Sequence, residues 1–369
     1  MKVIGQGSQY MIFDDDMKLH ESLPAQVYSV RCSKQTGFFL EKHADIEINE
    51  DKIYGIHMAK IDKVMKAFSV MPRNLGVIMS GAKGIGKSLF AKLLALRAIE
   101  SNIPVLIVDG YIPGIASYLE SINQEVMVMF DEFEKTFEKT EHSDPQTEML
   151  SLFDGFSTGK KMFVITCNSV KKLNDFLVNR PGRFHYHFRF DYPDYAQVRE
   201  YMMDKVAPEY HGEIDAVVDF SAKVPLNYDC LRAIAFELNM GQTFREAAQD
   251  LNIVNTENEY YSVIAYFNNG YHAVNSRVAL DMFDPSNEVY VYLNSPKNRY
   301  DTVATIEFLP QDAKYNVESS GFIIPGSKLN FSAYGDESDQ SAEEKAAFAS
   351  GISHVVVSRC VEKSMHYMV

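Results

Sequence analysis

The sequence predicts an α/β fold: a parallel sheet with helices on both faces, a small N-terminal β-containing region and a C-terminal mainly-β domain. The first observation is an alternation of apolar runs with helical stretches, which indicates parallel strands joined by helices. The second is the helical spacing of apolar residues from about 195 to 251. The third is a return, from about residue 255 onwards, to short strand-like runs separated by turn signals.

The predicted elements follow in chain order. Short apolar runs indicate strands within residues 1–57, and a helix is predicted near 58–68. The strands of the parallel sheet are predicted at 75–79, 104–108, 126–130, 162–166 and 184–190, with a helix over 88–100. After a helix beginning near 195, further helices are predicted at 213–222, 228–238 and 243–251. Strands then follow at 260–267, 289–293, 303–309, 321–324 and 354–357.

Composition limits the classes of protein to which the chain can belong. With 369 residues, two or three domains are expected. The formal net charge of -14 disfavours binding of duplex DNA by bulk electrostatics. No signal-peptide pattern and no run of about 18 apolar residues is present, so we expect a cytoplasmic protein without a membrane span. A structural zinc site and a disulfide scaffold are disfavoured because the cysteines are few and far apart, at Cys32, Cys167, Cys230 and Cys360.

A phosphate-binding motif carries the chemistry. The strand at 75–79 runs into G-A-K-G-I-G-K-S and then into a helix, which is the strand–loop–helix context that the P-loop motif requires. Glycines allow backbone N–H groups to converge on an anion, and the helix N-terminus adds positive potential. The alternative is a glycine-rich turn without a ligand. We predict that ATP is bound by Gly81, Ala82, Lys83, Gly84, Ile85, Gly86, Lys87, Ser88 and Leu89.

Polar residues at the ends of two further strands complete the predicted site. Asp131 and Glu132 follow five apolar residues, which places their carboxylates at the sheet edge where ligands bind. We expect Asp131 and Ser88 to hold Mg²⁺, and Glu132 to orient or deprotonate the attacking water. Asn168 ends the next strand and would position the same water, although a turn asparagine is the alternative. Lys87 would contact the β- and γ-phosphates.

At this point the sequence resembles the AAA+ ATPase family, and most closely its AAA clade. The resemblance is carried by L-F-D-G-F at 152–156, F-V-I-T-C-N at 163–168 and N-R-P-G-R-F at 179–184, and it covers roughly residues 60–250. It implies a Walker A loop at 81–88, a Walker B pair at Asp131 and Glu132, and a sensor-1 residue at Asn168. It further implies arginine fingers at Arg180 and Arg183, which would complete the nucleotide site of a neighbouring subunit.

The resemblance also implies an organisation and an assembly. Residues 58–194 would form the AAA+ P-loop ATPase core and residues 195–252 a helical lid, between the N-terminal region (1–57) and the C-terminal mainly-β domain (253–369). A finger arginine acts only if a second subunit completes each site, so a homo-oligomer, hexameric by resemblance, is expected. Within the lid, a sensor-2 residue is expected at Arg232, with Tyr228 as the alternative alignment. The segment 111–114, Y-I-P-G, would be the pore loop, or else a turn with a packed aromatic residue.

Three functions are open at this stage. The first is a motor that couples ATP hydrolysis to remodelling of a protein partner, chosen by the N-terminal region or the acidic C-terminal domain. The second is a loader acting on nucleic acid, for which basic pairs at 160–161 and 171–172 are available. The third is a nucleotide-gated scaffold with slow hydrolysis. Metal binding by His185 and His187, or by the acids at 14–16, is disfavoured because strand and turn roles account for them.

Overall fold

The chain folds into two units in the computed structural model, one over 1–192 and the other over 193–369. The structure describes residues 2–6, 9–13, 18–48, 50, 52–54, 57–140, 143–154, 159–178, 180–253, 260–282, 287–316, 319, 321–335 and 340–360. Gly155, Phe156 and Asn179 of the resemblance, and the acids at 14–16, lie outside the described residues.

The first unit is built on a sheet in which neighbouring strands are mostly not consecutive in the sequence. Two N-terminal strands, β1 (Lys2–Gln6) and β2 (Gln9–Phe13), form a separate antiparallel hairpin. Within the described residues, the main sheet consists of β3 (Val27–Ser33), β4 (Gly37–Lys42), β5 (Leu75–Ser80), β6 (Val105–Val108), β7 (Val126–Phe130), β8 (Lys161–Cys167) and β9 (Tyr186–Arg189). Their order is β4-β3-β6-β7-β8-β5-β9, with only the edge strand β4 antiparallel.

Helices lie between most of these strands. They are α1 (His57–Val70), α2 (Lys87–Glu100), α3 (Ile115–Glu120), α4 (Phe133–Thr136), α5 (Pro145–Glu148) and α6 (Leu150–Asp154). Strands β5, β7 and β8 are buried along their whole length, which explains their continuous apolar sequence. Two separate hydrophobic clusters cover the sheet, one around Phe90 and Leu94 of α2 and the other around Phe130 and Phe153. The sheet is therefore covered on both faces, as the alternating pattern predicts.

Strands β3 and β4 belong to the same sheet as the P-loop strand. β3 pairs in parallel with β6, with Val27 opposite Val105 and Ser29 opposite Ile107. Residues 1–57 were predicted as a small N-terminal region with strands, and the pairing of β3 joins part of that region to the central sheet. In the sheet order, β5 lies between β8 and β9, and β7 lies next to β8. The carboxyl ends of β5, β7 and β8 consequently meet at one edge, which is where ligands bind in open parallel sheets.

The second unit begins with helices and continues as an antiparallel sheet. The helices are α7 (Tyr195–Lys205), α8 (Ile214–Lys223), α9 (Tyr228–Asn239) and α10 (Phe244–Asp250), with a 3₁₀ segment at Pro208–Glu213. Side-chain caps define three of their starts: Asp194 for α7, Asn227 for α9 and Thr243 for α10. A further helix, α11 (Ala342–Ser350), lies late in the unit and begins with a capping box at Ser341.

The antiparallel sheet has eight strands within the described residues. They are β10 (Tyr260–Phe267), β11 (His272–Ala279), β12 (Val289–Ser295), β13 (Asn298–Phe308), β14 (Lys314–Asn316), β15 (Gly321–Pro325), β16 (Asn330–Ala333) and β17 (Ile352–Arg359), in the order β14-β15-β17-β10-β11-β12-β13-β16. Buried and exposed residues alternate along β10 and β12, and the inward set packs into one hydrophobic cluster. A separate antiparallel β region follows the helices, as the sequence predicts.

Candidate nucleotide-binding site

The loop at residues 81–86 has a backbone that only glycine adopts without strain at three of its positions, Gly81, Gly84 and Gly86. Gly81 has φ +144°, and a Cβ built on it would lie 2.2 Å from the Phe190 carbonyl oxygen. Gly86 has φ +96° and is the residue before the first turn of α2. No side chain caps that turn, so its free N–H groups and the helix dipole remain available to an anion. The loop therefore fits a bound phosphate group.

Lys87 is the first residue of α2 and its side chain returns over the loop. Only 7% of it is exposed. Its ammonium donates hydrogen bonds to the carbonyl oxygens of Gly81 (2.7 Å) and Ala82 (2.6 Å), and to Oδ1 of Asn168 (3.0 Å). Burial lowers the pKa of Lys87, while the carboxylates of Glu134, Asp131 and Glu132 act in the opposite direction and favour the charged form. The ammonium is thus held at the loop by directed contacts.

The other loop residues have different surroundings. Ile85 is buried against the loop, and a Cβ on Gly81 would meet its Cδ1 at 2.5 Å. Leu89 and Ala82 are half-buried and pack against the hydrophobic cluster around α2, so side-chain contact with a nucleotide is not evident for them. Lys83 is exposed, and its charge helps to lower the pKa of Glu132. Gly84 has φ +77°.

Ser88 and Asp131, the residues predicted to hold Mg²⁺, are both exposed at this edge of the sheet. Ser88 lies in the first turn of α2, and Asp131 follows the last residue of β7. The Asp131 carboxylate is oriented by a short hydrogen bond that it accepts from the Thr166 hydroxyl. A hydroxyl and a carboxylate are hard oxygen donors that suit Mg²⁺, so these residues fit the predicted ion.

Glu132 adopts a left-handed backbone conformation, with φ +46° and ψ +48°, which is rare for a residue with a side chain. Its backbone N–H donates to the Thr166 hydroxyl oxygen at 2.8 Å. Its carboxylate accepts hydrogen bonds from Lys135 (2.8 Å) and from the Asn168 amide (3.1 Å). These two hydrogen bonds lower the pKa of Glu132, the one from Lys135 more strongly. Glu132 is therefore ionised at neutral pH.

Asn168 joins the two halves of the site. Its Oδ1 accepts from the Lys87 ammonium, and its Nδ2 donates to Oε1 of Glu132. One amide side chain thus contacts both the predicted phosphate-binding lysine and the acid predicted to orient water. From the sequence, only the position of Asn168 at a strand end could be inferred. The structure adds its direct hydrogen bonds to Lys87 and Glu132.

Two residues were missed by the sequence reasoning. Thr166 is buried on β8, and its hydroxyl contacts both Asp131 and the backbone of Glu132. Glu134 is buried on α4 and accepts from the Asn168 backbone N–H at 2.8 Å. Thr166 lies inside the recognised run at 163–168, and Glu134 lies two residues beyond the recognised acids. Neither a threonine in an apolar strand nor a further acid after it gives a separate signal. Cys167 lies between Thr166 and Asn168, and burial raises the pKa of its thiol to about 12.

The two arginines predicted as fingers differ in their surroundings. Arg183 is only 10% exposed in its side chain. Its guanidinium forms a two-point ion pair with Asp154 and donates from Nη1 to the Phe176 carbonyl oxygen at 2.8 Å. Arg180 is exposed, and its guanidinium lies 5.1 Å from the ring centroid of Phe176. Arg183 is thus bound within its own unit, whereas Arg180 is accessible.

The remaining predictions involve a tyrosine and a lid arginine. Tyr111 donates a short hydrogen bond from its hydroxyl to Glu148, and this bond raises the pKa of Tyr111 to about 12. Its ring packs edge-on against Phe137, which favours the packed-turn interpretation over a pore loop. Arg232 lies in the first turns of α9 and pairs with Asp229 at 3.4 Å. Its sensor-2 role stays a prediction.

Neither a metal-binding cluster nor a membrane-spanning helix is found in the described ranges. No group of three or more His, Cys, Asp and Glu side chains in these ranges is arranged to hold a metal ion. His187 contacts the Ser80 hydroxyl through Nε2 at 2.7 Å. Over the same ranges, none of the helices has both the length and the apolar character needed to cross a bilayer.

Similarity to known proteins is found over the segment that forms the candidate site. Residues 77–192 match the family described as "ATPase family associated with various cellular activities (AAA)". The chain is similar to the ATP-dependent zinc metalloprotease FtsH 2 of Phytoplasma mali, with 28% identity over 138 residues, 32% of this chain and 20% of that protein. It is also similar to the mitochondrial inner membrane m-AAA protease component YTA10 of Saccharomyces cerevisiae, with 26% identity over 196 residues, 44% of this chain and 25% of that protein.

The match spans only a fifth to a quarter of the length of these relatives. The matched family segment runs from Val77, inside the P-loop strand, to Tyr192, at the end of the first unit. It therefore contains the loop, the Walker B acids, Asn168 and both arginines. This segment, and not the whole chain, is what matches the AAA family of ATPases.

Proposed function

We propose that this protein hydrolyses ATP to ADP and phosphate with Mg²⁺, and that a ring of its subunits couples hydrolysis to remodelling of a protein partner. The observation that carries the ATPase proposal is the Asn168 amide, which contacts Lys87 on one side and Glu132 on the other. A group that binds phosphate and a group that orients water are thereby held in one hydrogen-bonded network. Phosphoryl transfer depends mainly on such positioning and on electrostatic stabilisation.

Each residue has a defined task in this proposal. The loop N–H groups and the N-terminus of α2 bind phosphate oxygens, and Lys87 places a positive charge against them. Ser88 and Asp131 hold Mg²⁺, which neutralises developing negative charge on the phosphates. Lys87 already donates to two loop carbonyls and to Asn168. The ammonium is thus positioned at the loop by its own subunit.

Glu132 orients the attacking water in this proposal. Its pKa is lowered by hydrogen bonds from Lys135 and Asn168, so the carboxylate is a weak base but a good acceptor. A carboxylate oxygen that accepts from the water directs a lone pair of that water towards the phosphorus atom. The strained backbone of Glu132 fixes where this acceptor lies, and such strain is typical of functional sites.

Arg180 is the finger that completes the site of a neighbouring subunit. A finger must extend from its own subunit, and Arg180 is exposed beside Phe176. Arg183 is held by Asp154 and by the Phe176 carbonyl oxygen, so it supports the loop that presents Arg180. A guanidinium supplied by another subunit stabilises charge in the transition state and is worth about 10³–10⁵ in kcat in related systems.

A protein partner is favoured over nucleic acid by charge. The net charge of -14 repels phosphate backbones. Of the two basic pairs considered for nucleic-acid binding, the pair at 160–161 is not a free patch, because Lys161 is fully buried and Lys160 pairs with Glu125 at 3.0 Å. Both relatives are named as proteases or protease components. These 369 residues contain no H-E-x-x-H zinc motif, so we transfer only the ATP-driven action on protein.

The test is the ATPase rate per subunit as a function of protein concentration, for the wild type and for Arg180→Ala, Arg183→Ala and Glu132→Gln. We expect the wild-type rate per subunit to rise with concentration as shared sites assemble. Arg180→Ala should lose most of this rate while retaining ATP binding, and Glu132→Gln should bind ATP without hydrolysing it. A rate that does not depend on concentration or on Arg180 would exclude the ring of shared sites. It would leave a monomeric ATPase.

A further inference from the structure

Glu134, the first acid after the predicted Walker B pair, is buried beside the candidate site. It is 4% exposed, although a glutamate on a short surface helix is ordinarily solvated. One carboxylate oxygen, Oε1, accepts the hydrogen bond from the Asn168 backbone N–H at 2.8 Å. The other, Oε2, is buried and has no hydrogen-bond partner among the described residues. Burying a carboxylate with one unpaired oxygen lowers the free energy of unfolding. We therefore asked what its single hydrogen bond contributes to the site.

The packing around α4 fixes the position of this carboxylate. Phe133 and Phe137 flank Glu134 in sequence and stack on each other with ring centroids 4.5 Å apart. Both rings are fully buried and belong to the hydrophobic cluster on one face of the sheet. The short helix is thus attached to the sheet by aromatic side chains on either side of Glu134. Little freedom is left to the carboxylate, which lies at the end of β8.

Asn168 is the residue that this carboxylate holds. It directly follows β8, where the strand ladder has ended with Cys167 opposite Ser80. Beyond that pair, the backbone N–H of Asn168 is bound by a side chain, Oε1 of Glu134. The Asn168 amide then contacts both Lys87 and Glu132. Any rotation of the backbone at Asn168 would move the amide away from one of its two partners.

We propose that Glu134 is a positioning residue for ATP hydrolysis, which holds the backbone of Asn168 so that its amide contacts Lys87 and Glu132 together. It acts through Asn168 and does not itself touch the substrate. This inference rests on the proposed ATPase function. It assigns the main role to the hydrogen-bond acceptor on Glu134, because its one hydrogen bond is with a neutral backbone N–H, whereas its charge acts on Lys87 only by favouring the charged form.

The acceptor and the charge can be separated by two substitutions of similar volume. Glu134→Gln keeps an oxygen that can accept from the Asn168 N–H, but it removes the charge. Glu134→Met fills the same space and removes the acceptor, which leaves a buried N–H unpaired. We expect Glu134→Met to lower kcat by about 10- to 100-fold with KM for ATP nearly unchanged, and Glu134→Gln to lose no more than about threefold.

A double-substitution cycle tests the route through Asn168. In an Asn168→Ala background there is no amide left to position, so adding Glu134→Met should reduce kcat by less than about twofold. A full additional loss in that background would overturn the proposal, because Glu134 would then act independently of Asn168. Equal losses in the Gln and Met variants would also overturn it, because the charge would then be the active feature. So would a Met variant with wild-type kcat.

Folding is checked by thermal unfolding and far-ultraviolet circular dichroism of each full-length variant. If Glu134→Met does not fold, Glu134→Asp replaces it, because the shorter side chain keeps the charge and withdraws the acceptor from Asn168. The Asp variant should then lose at least tenfold in kcat while Glu134→Gln does not. The wild type and Glu132→Gln are measured alongside. An active wild type with an inactive Glu132→Gln upholds the ATPase proposal whatever Glu134 does, whereas an inactive wild type overturns both.

Discussion

The two sheets of this protein differ in the polar residues at their surfaces. At the carboxyl edge of the parallel sheet, the buried side chains of Lys87, Thr166 and Glu134 form hydrogen bonds to other residues of the candidate site. On the antiparallel sheet, the exposed face of β12 instead carries Tyr290 and Tyr292. These rings lie with centroids 5.0 Å apart, and Tyr292 also contacts Tyr334.

This difference shows which part of the chain keeps features that lower folding stability. The antiparallel sheet follows the two-residue alternation of an ordinary half-buried sheet, and its stability comes from the inward apolar set. The parallel sheet keeps buried charges and a left-handed glutamate, features that cost stability. Among these features, Lys87, Glu132 and Glu134 each contact another member of the candidate site, whereas the buried Lys161 does not. The chemistry is therefore expected to be sensitive at one edge of one sheet and insensitive elsewhere.

The largest effect is expected from Lys87→Met. Removing one partner of a buried, hydrogen-bonded charge contact typically costs about 2–5 kcal/mol in binding. We expect ATP affinity to fall accordingly, measured by titration with a fluorescent ATP analogue. Lys161→Met is the matched control, because Lys161 on β8 of the same unit is 0% exposed but donates to the carbonyl oxygens of Ile122 and Gly159. If the two variants lose ATP affinity equally, the effect is one of folding and not of the site.

The next effect is on stability in the other sheet. Ile306 is fully buried on β13 within the inward apolar set. Ile306→Ala should lower the free energy of unfolding by about 2–5 kcal/mol, because methyl groups are lost and a cavity is left. The measurement is urea unfolding followed by circular dichroism, with ATP affinity determined below the transition. Loss of ATP affinity in the folded variant would contradict the separation between the two sheets.

Thr166→Val is expected to have an intermediate effect on catalysis. Valine has nearly the same shape, but it leaves the Asp131 carboxylate and the Glu132 N–H without their shared hydroxyl. Leaving such groups unpaired costs about 1–3 kcal/mol, which corresponds to roughly 5- to 150-fold in kcat. Thr166→Ser should restore most of the rate. The matched control is Thr305→Val, since Thr305 is a buried threonine of the antiparallel sheet. An equal loss of activity there would refute the assignment.

Thr166 also shows how far the sequence alone could predict this site. The P-loop, the predicted Walker B acids and Asn168 each end or follow a continuous apolar run, so their place at the sheet edge was predictable. Thr166 lies inside such a run and resembles an ordinary β-branched strand residue. Its role depends on the pairing of β7 with β8, which joins residues 35 positions apart in the chain. No local pattern contains that information.

Strands, like site residues, were predictable where a local pattern marks them and were missed where long-range pairing defines them. Strands with a continuous apolar run or clear alternation were predicted close to their observed positions, as for β7 (126–130) and β10 (260–267). β11 was missed because its second half, from Asn275 to Arg277, is polar and interrupts the alternation. The short edge strands β14 and β16 were missed because their pairing with neighbours, and not an apolar pattern, makes them strands. The place of β3 beside β6 also depended on long-range pairing.

The smallest effect concerns the ion pair between Arg183 and Asp154. The Arg183 guanidinium lowers the pKa of Asp154 below its usual value of 3.8. A carboxylate whose pKa is lowered on folding contributes stability above its unfolded pKa and loses that contribution as the pH falls through the folded value. Because the Asp154 side chain is 36% exposed, we expect Arg183→Ala to cost about 1 kcal/mol or less at pH 7.

The stability difference between the wild type and Arg183→Ala should therefore be constant between pH 7 and about pH 5 and should close as the pH falls below about 4. Urea unfolding at several pH values measures this difference. Lys297→Ala is the comparison in the other unit, where the pair with Glu343 is solvent-exposed and should contribute nothing measurable. A difference that persists unchanged at pH 3 would mean that Arg183 stabilises the unit through its bond to the Phe176 carbonyl oxygen and not through Asp154.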